Sequence, residues 1–404
     1  MQILVLSQYF WPESFIINDV VRLLREFGHE VTVATGKPNY PDGEVFEGYR
    51  AWGCQRERFS EEVEVLRVPL WPRRGGGATN LILNYFSFVV TGLLMFPWIL
   101  RGRRFDAILV FAPSPITQAI PAIFLKWLKG AKLVLWVQDL WPESLSATGF
   151  VKNSRLLGVV GWMVRSIYRY CDLLLVQSRA FIEPVTRYAD ESKIVYHPNS
   201  VDVQLQPTEC EGIPPELTEV MEREFCVVFA GNLGTAQALD TVVQAAVLLR
   251  DNDNIRIVLV GSGSRLEWVQ EQKRVAGLSN LLLPGRFPMG MMPKIFDRSG
   301  ALLVSLNDEE IFAQTVPSKI QAYLAAGKPI IASLNGEGAR VVSEAAAGFV
   351  SPAGLALPLA ENIRRIAALS DSERLAMGQS GRAYFDAHFD MRSQVRQLQA
   401  LLAR

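Results

Sequence analysis

Residues 225–251 read FCVVFAGNLGTAQALDTVVQAAVLLRD. The stretch opens on a continuous apolar run, passes through a turn with Gly231 and Gly234, and continues in a helical pattern. An apolar run of that length, bounded by turn residues and followed by a helix, is what a strand buried on both faces of a parallel sheet produces. The turn residues Gly231, Asn232 and Gln237 then stand where the free backbone N–H groups of a helix N-terminus meet the carboxyl end of a strand. Such a place can hold an anion, a diphosphate included. Further strands follow in IRIVLVGSGS (255–264), NLLLPGRF (280–287), ALLVSL (301–306) and KPIIAS (328–333), with helices in LEWVQEQKRVAG (266–277) and SKIQAYLAAG (318–327). A last helix is expected in DMRSQVRQLQALLAR (390–404).

The first half carries the same pattern. Strands are expected in QILVLS (2–7), HEVTVAT (29–35), VEVLRVP (63–69), FDAILVFA (105–112), KLVLWVQDL (132–140), CDLLLVQS (171–178) and KIVYHPNSVD (193–202). The segment INDVVRLLREFG (17–28) is amphipathic, with Val20, Leu23, Leu24 and Phe27 on one face and Gly28 at its end. Two successive α/β units joined near HPNSVD imply two Rossmann-like parallel-sheet domains that face each other across a cleft. The tetrapeptide WPES occurs twice, at 11–14 and 141–144, each time just past a strand of the first unit. Ligands of open α/β sheets bind outside the carboxyl ends of the strands. The two copies would line one cleft wall if their strands are neighbours.

Composition narrows the class. The chain has 404 residues, 49% hydrophobic and 20% charged, with zero formal net charge, which argues against a dedicated nucleic-acid binder. Residues 1–195 carry 22 Lys and Arg against 18 Asp and Glu, a weak bias toward an anionic acceptor or surface. Four cysteines without metal-ligand spacing and three histidines make a zinc site improbable and point to a reducing compartment. MQILVLSQYF has no basic leader and reads directly into a strand.

Residues 80–100, NLILNYFSFVVTGLLMFPWIL, hold no charge and are flanked by Arg73 and Arg74 before and Arg101, Arg103 and Arg104 after. The length approaches the roughly 20 residues that span a bilayer. A span would place the halves of one sheet on opposite sides of a membrane. The readings left are a core helix and an in-plane helix that contacts a membrane through 80–104.

The usual markers of several enzyme classes are absent: GxSxG, HExxH, GxxxxGK[ST], and a GxGxxG at the first turn. Gly261 and Gly263 in VGSGSR form a turn pair, and the acidic DND at 251–253 falls in a solvated turn rather than a metal site. In VPSKIQAYLAAGKPIIAS (316–333), Pro317 suits a first helical turn and Lys319 lies near the helix N-terminus. A cation is unfavourable at that end of the helix dipole, so an anionic partner is expected there.

Taken together, YFWPES, GHEVTVATGKPNYPDGEVFEGY (28–49), QDLWPESL, HPNSVD, AGNLGTAQALD, VGSGS and PSKIQAYLAAGKPIIAS run in order over nearly the whole chain. In this the sequence resembles the GT-B-fold, family 4 retaining glycosyltransferases, and among them the bacterial surface-polysaccharide branch that transfers N-acetylated deoxy sugars such as N-acetylfucosamine. The resemblance implies an N-terminal acceptor domain over 1–197, with the final helix 388–404 packing back on it, and a C-terminal nucleotide-sugar domain over 198–387. It implies a UDP-sugar donor without a further cofactor or metal. It also implies a polyprenyl-diphosphate-linked saccharide acceptor, and a place on the cytoplasmic face of the bacterial inner membrane.

Carried over by position, the donor residues are Gly231, Asn232, Gln237, Gly263, Arg286, Phe287, Pro317, Ser318 and Lys319. Family members often have Arg and Lys where Asn232 and Gln237 stand, and paired glutamates where Gln314 and Ala322 stand. Lys319, with Arg286 second, is therefore the main cation left for the diphosphate. Glu13, Asp139 and Glu143 are the carboxylates expected to orient the acceptor or sugar, each alternatively a cap for a backbone turn. Trp11 and Trp141 are expected to stack on sugar, or else to wedge two loops together. Asn39, Tyr40 and Pro41 are expected to extend the acceptor wall, or else to serve only as turn residues of their loop, and Gln138 stands where the family often has a histidine that contacts the sugar. Rival expectations are a UDP-sugar 2-epimerase of like architecture and an inactive scaffold of polysaccharide assembly.

Overall fold

The computed structural model describes residues 1–60, 62–75, 77–147, 153–202 and 213–404. The chain divides into two compact units, Met1–Asn199 with Met391–Arg404, and Ser200–Asp390.

The first unit is built on β1 (Gln2–Leu6), β2 (Glu30–Thr35), β3 (Gln55–Phe59), β4 (Val63–Arg67), β5 (Ala107–Ala112), β6 (Lys132–Val137), β7 (Leu173–Val176) and β8 (Ile194–Tyr196). They pair in the order β3-β4-β2-β1-β5-β6-β7-β8. All neighbours are parallel except the β3–β4 pair. Its helices include α1 (Ile16–Glu26), α2 (Ala78–Ile99), α3 (Ala119–Lys129), α4 (Glu143–Ala147) and α5 (Ser154–Tyr170). Strand β3 was not expected: QRERF carries three consecutive charges, Arg56, Glu57 and Arg58, and is half-solvated, so it lacks the apolar run that reveals a buried strand. The direction of the chain changes between β1 and β5, which makes their carboxyl ends the switch point where a ligand crevice opens. Strand β5 lies between β1 and β6, so the strands that lead into the two WPES loops are not neighbours, and the condition for one shared wall is not met.

Alternate residues of the strands feed two apolar layers. Leu4, Leu6, Ile108 and Val110 pack with Phe88 and Phe96 of α2, Leu125 of α3 and Val164 and Ile167 of α5. On the opposite face, Ile3, Val5 and Leu109 meet Val20, Val21 and Leu24 of α1 and Val395, Leu398 and Leu402 of the C-terminal helix Met391–Ala403. That last helix is further tied down by Lys132 Nζ donating to the Leu401 carbonyl at 2.7 Å and by a His29–Gln399 contact at 2.9 Å.

Helix α2 buries one face and leaves the other exposed. Asn84, Phe88, Gly92 and Phe96, four residues apart, form the buried stripe. A Cβ at Gly92 would stand 2.9 Å from Pro121 Cγ, so the glycine lets α2 approach α3. The other face leaves Phe86, Leu94 and Trp98 exposed at 65%, 71% and 72%.

The second unit holds a six-stranded parallel sheet, β11-β10-β9-β12-β13-β14. Its strands are β9 (Phe225–Ala230), β10 (Ile255–Val260), β11 (Leu281–Gly285), β12 (Ala301–Ser305), β13 (Ile330–Ser333) and β14 (Gly348–Ser351). The switch point falls between β9 and β12, beside the glycine turn. The edge strand β14, four residues of GFVS, is too short and too mixed to stand out in the sequence. Cys54, Cys171 and Cys226 are free thiols, while Cys210 lies outside the described residues.

Candidate functional site

In the second unit, the loops after β9 and β10 are pressed together. Gly231 N–H donates to the Val260 carbonyl, Gly261 N–H to the Gly285 carbonyl and Leu233 N–H to the Ser262 carbonyl, each at 2.9 Å. A Cβ on Gly261 would lie 1.8 Å from the Gly231 carbonyl oxygen, and one on Gly263 2.5 Å from that of Leu233. These two glycines are thus required by backbone-to-backbone contact, and Gly263 supports the Asn232–Leu233 turn from behind. Gly231 has φ 134° and clears room for Lys319: a Cβ there would sit 2.8 Å from Lys319 Cε.

Lys319 enters from the helix Ser318–Ala326, whose N-cap is Pro317, one residue ahead of the first-turn place expected for it. Its Nζ donates to Gln237 Oε1 at 2.5 Å and lies 3.6 Å from the Phe229 ring centroid. No carboxylate pairs with it among the described residues. Burial lowers its pKa to about 7, because an ammonium removed from water with only a neutral amide and an aromatic face loses hydration that these partners replace incompletely. One turn further along, the Tyr323 hydroxyl accepts from the Ala230 N–H at 3.0 Å and fixes the end of β9. Ser305 Oγ donates to the Gln237 carbonyl at 2.6 Å, and the Asn307 N–H donates to the Ala236 carbonyl at 3.0 Å. None of Ser305, Asn307, Phe229 and Tyr323 is singled out as a site candidate in the sequence; their place at the ends of β9 and β12, or for Tyr323 on the helix Ser318–Ala326 beside them, brings them in.

The remaining donor candidates are less tightly drawn in. Asn232 is exposed and lies over Gly234 and Gly263. Arg286 is exposed, directly after the β11 residue that receives the Gly261 N–H. Phe287 packs against the core of the unit, and Ser318 is exposed at the helix start. Gln314 follows the short helix Glu310–Ala313, and Ala322 packs against the core, so neither position offers a carboxylate.

In the first unit, four prolines with cis peptide bonds follow β1, β2, β5 and β6: Trp11–Pro12, Tyr40–Pro41, Ser114–Pro115 and Trp141–Pro142. Glu13 is buried and its oxygens are taken by backbone. Oε1 accepts from Asn39 N–H at 2.9 Å and Tyr40 N–H at 2.8 Å, and Oε2 from Phe10 N–H at 3.1 Å. Burial raises this carboxyl to about 7 against the opposing pull of the three donors. Glu13 therefore joins the loop after β1 to the loop after β2, the turn-capping alternative for this residue.

Asn39 is fully buried and accepts on Oδ1 from the Arg73 N–H and Asn84 Nδ2, both at 3.4 Å. The Tyr40 ring, 40% exposed, leans on Phe15 and Tyr9. Asn84 is the polar residue in the buried stripe of α2, and it accepts from Gln8 Nε2 at 2.7 Å while donating to the Trp71 carbonyl at 2.6 Å. Arg73 completes the cluster: its guanidinium lies 5.1, 5.3 and 5.6 Å from the rings of Tyr9, Tyr40 and Tyr85.

Beside this cluster, Asp139 accepts from the Trp141 indole N–H at 3.1 Å and is also bonded by Ser144 and Ser114. Burial raises its carboxyl above the ordinary range, and these donors counter it. Ser114 also bonds Tyr85, linking the two groups. Trp141, 8% exposed, packs in the core of the unit beside Tyr85, whereas Trp11, 38% exposed, still presents a face to solvent. Gln138 and Glu143 lie apart from the cluster. Gln138 Oε1 accepts from Asn199 at 2.8 Å within a polar knot that includes Gln177. Glu143 turns to the Tyr188 hydroxyl at 3.5 Å and Arg187 at 3.9 Å.

Residues 15–200 match the family described as Glycosyl transferase 4-like domain, and residues 205–384 match Glycosyl transferases group 1. The chain is 26% identical over 356 residues to WcaI of Escherichia coli (strain K12), named for colanic acid biosynthesis as a glycosyl transferase, covering 81% of this chain and 82% of that protein. Among solved structures it is similar to sucrose-phosphate synthase from Thermosynechococcus elongatus, with TM-score 0.71, 15% identity and coverage of 99% and 98%. It is also similar to HepE of Anabaena in complex with UDP, with TM-score 0.68, 15% identity and full coverage of both chains. At these identities the structural likeness establishes a shared fold, the GT-B pair of parallel-sheet α/β domains.

Proposed function

Starting from a chain that consists of a glycosyltransferase 4-like domain followed by a group 1 glycosyltransferase domain, we propose that it transfers a sugar from a UDP-sugar to a lipid-linked saccharide in surface-polysaccharide synthesis. The second unit takes the donor and the first unit the acceptor. The sugar moved is an N-acetylated deoxy sugar of the N-acetylfucosamine type, and the acceptor is a saccharide on a polyprenyl diphosphate. The observation that carries the reading is Lys319, a cation held against Gly231 by a neutral amide and an aromatic ring and paired with no carboxylate among the described residues. A diphosphate is the complement such a group lacks. WcaI supports the polysaccharide class, and the UDP in HepE supports the nucleotide.

Glycosyl transfer needs stabilisation of a departing diphosphate and of an oxocarbenium-like sugar. Lys319 and backbone N–H groups of the 231–238 turn other than those of Gly231, Leu233 and Gln237, which are bonded within the protein, are assigned to the first task, in place of a metal ion. The acceptor hydroxyl attacks on the face from which UDP departs, with the leaving phosphate taking its proton, so the anomeric configuration is retained. Asp139 orients the acceptor.

The protein works on the cytoplasmic face of the inner membrane and touches it through α2. Exposed Trp98, Trp127 and Trp162, at 72%, 84% and 71%, stand on α2, α3 and α5, with Arg101 and Arg104 at the end of α2. Exposed tryptophan with basic residues is the composition of an interfacial face.

A thermal-shift panel with UDP, GDP, CDP, dTDP and NAD on the wild type and Lys319→Ala tests the donor site. Stabilisation by UDP alone, lost in the variant, is expected. UDP binding without transfer to any lipid-linked acceptor would identify an inactive scaffold, which the absent carboxylates at Gln314 and Ala322 favour.

A further inference from the structure

Two guanidinium groups stand at the carboxyl edge of the first sheet, and they are treated differently. Arg67 is fully buried, but it pairs with Glu57 and donates to the Gly36 and Trp11 carbonyls. Arg73 is half-buried and has no carboxylate partner among the described residues. Its Nη2 donates to the hydroxyls of Tyr9 and Tyr85, and its buried Nε has no partner. Three phenol rings surround it, which offsets only part of the lost hydration. A planar fork of donors, partly desolvated and without a counter-ion, is the complement of a carboxylate- or phosphate-like oxyanion.

We propose that Arg73, with the Tyr9 and Tyr40 side chains, is a phosphoryl-binding subsite of the first unit that holds the diphosphate of a lipid-carried acceptor. Position supports that class of ligand. The cluster lies at the ends of β1 and β2, next to the switch point of the sheet, where a ligand is expected. The Tyr9 hydroxyl receives Arg73 and Gln8 Nε2, so its own proton is left for an incoming oxygen. Arg73 precedes α2 by a few residues, and Asn84 and Tyr85 of the cluster are α2 residues. The same helix carries the exposed apolar face, so an anion held here adjoins a surface suited to its lipid tail. The choice of diphosphate rests on the acceptor assigned above; the oxyanion site itself does not.

The test is calorimetric titration of pyrophosphate and of farnesyl diphosphate into the wild type, Arg73→Gln and Arg73→Lys saturated with UDP, and into Lys319→Gln without UDP. The expected result is a site that takes both ligands, weakens at least tenfold in Arg73→Gln and several-fold in Arg73→Lys, and persists in Lys319→Gln. Farnesyl diphosphate displacing pyrophosphate assigns the site to a lipid-carried group. Pyrophosphate binding alone keeps the oxyanion site but overturns the lipid source. Equal affinity in the wild type and Arg73→Gln, or no second site, overturns the proposal. If Arg73→Gln does not fold, unchanged affinity in Arg73→Lys overturns it. If UDP does not bind the wild type, the donor reading fails, and the titration run without UDP still decides Arg73.

Discussion

Lys319 Nζ stands 3.6 Å from the centre of the Phe229 ring and 2.5 Å from Gln237 Oε1. These residues come from a helix, a strand and a turn. Their meeting leaves a cation whose charge is only partly compensated.

That arrangement fixes a pH dependence. Burial lowers the Lys319 pKa from 10.5 to about 7, so between those values the unfolded chain binds the extra proton. Stability therefore rises with pH across that window, by at most about 1.4 kcal/mol per pH unit. Lys319→Met should flatten the rise and melt higher than wild type at pH 6.5, while UDP binding is lost. Urea melts at pH 6.5 and 8.5 with a UDP titration check this, and a less stable Met variant at pH 6.5 would refute it.

UDP binding by the wild type should itself take up protons. An anion beside Lys319 favours the charged ammonium and raises its pKa. Affinity should therefore fall as pH rises above about 7. Calorimetry in buffers of different ionisation enthalpy measures the uptake, and none at pH 8 would place the diphosphate elsewhere.

Glu13 has the opposite sign. Its carboxyl is raised from 4.5 to about 7, so its contribution is fully present below pH 4.5 and lost as pH climbs through 7. Glu13→Gln should remove that slope. It should also cost roughly 1–3 kcal/mol at pH 8, because an amide cannot accept all three N–H groups. Denaturant midpoints at pH 5 and 8 report both effects.

Trp98→Asp with Trp127→Asp changes two side chains that are 72% and 84% exposed. Stability should change by less than about 1 kcal/mol, since surface substitutions away from special contacts are nearly neutral. Sedimentation with vesicles rich in phosphatidylglycerol should fall at least fivefold. Undiminished sedimentation would remove α2 and α3 from the membrane surface.

Leu398→Ala empties a fully buried site between the C-terminal helix and the sheet of the first unit. A loss of about 2–5 kcal/mol is expected from the lost transfer energy and the cavity left behind. A melt within about 0.5 kcal/mol of wild type would mean that the last helix is not part of this core.

Much of the architecture was legible in local patterns. The apolar runs of β1, β2, β5, β6, β9, β10 and β12 announce buried parallel strands, and the glycines at 231 and 234 announce the turn after β9. These signals need only neighbours in the chain. Lys319 was legible too, because a lysine at a helix N-terminus contradicts the helix dipole. The charged strand β3 and the four-residue β14 escaped because neither has an apolar run of its own.

What the tertiary structure alone decided is who meets whom. Composition marked residues 80–100 as apolar, but packing against Pro121 and the sheet chose the stripe Asn84, Phe88, Gly92 and Phe96 for burial and left Trp98 outside. Glu13 stood open between an acceptor-orienting carboxylate and a turn cap until the loops after β1 and β2 came together around it. Arg73 looked like a flank of an apolar segment until Tyr9, Tyr40 and Tyr85 enclosed it. The physical reason is common to all three. Secondary structure follows from backbone and side-chain preferences within a few residues, whereas the desolvation and pairing that give a charge its chemistry are set by strand order, which joins residues far apart in the chain.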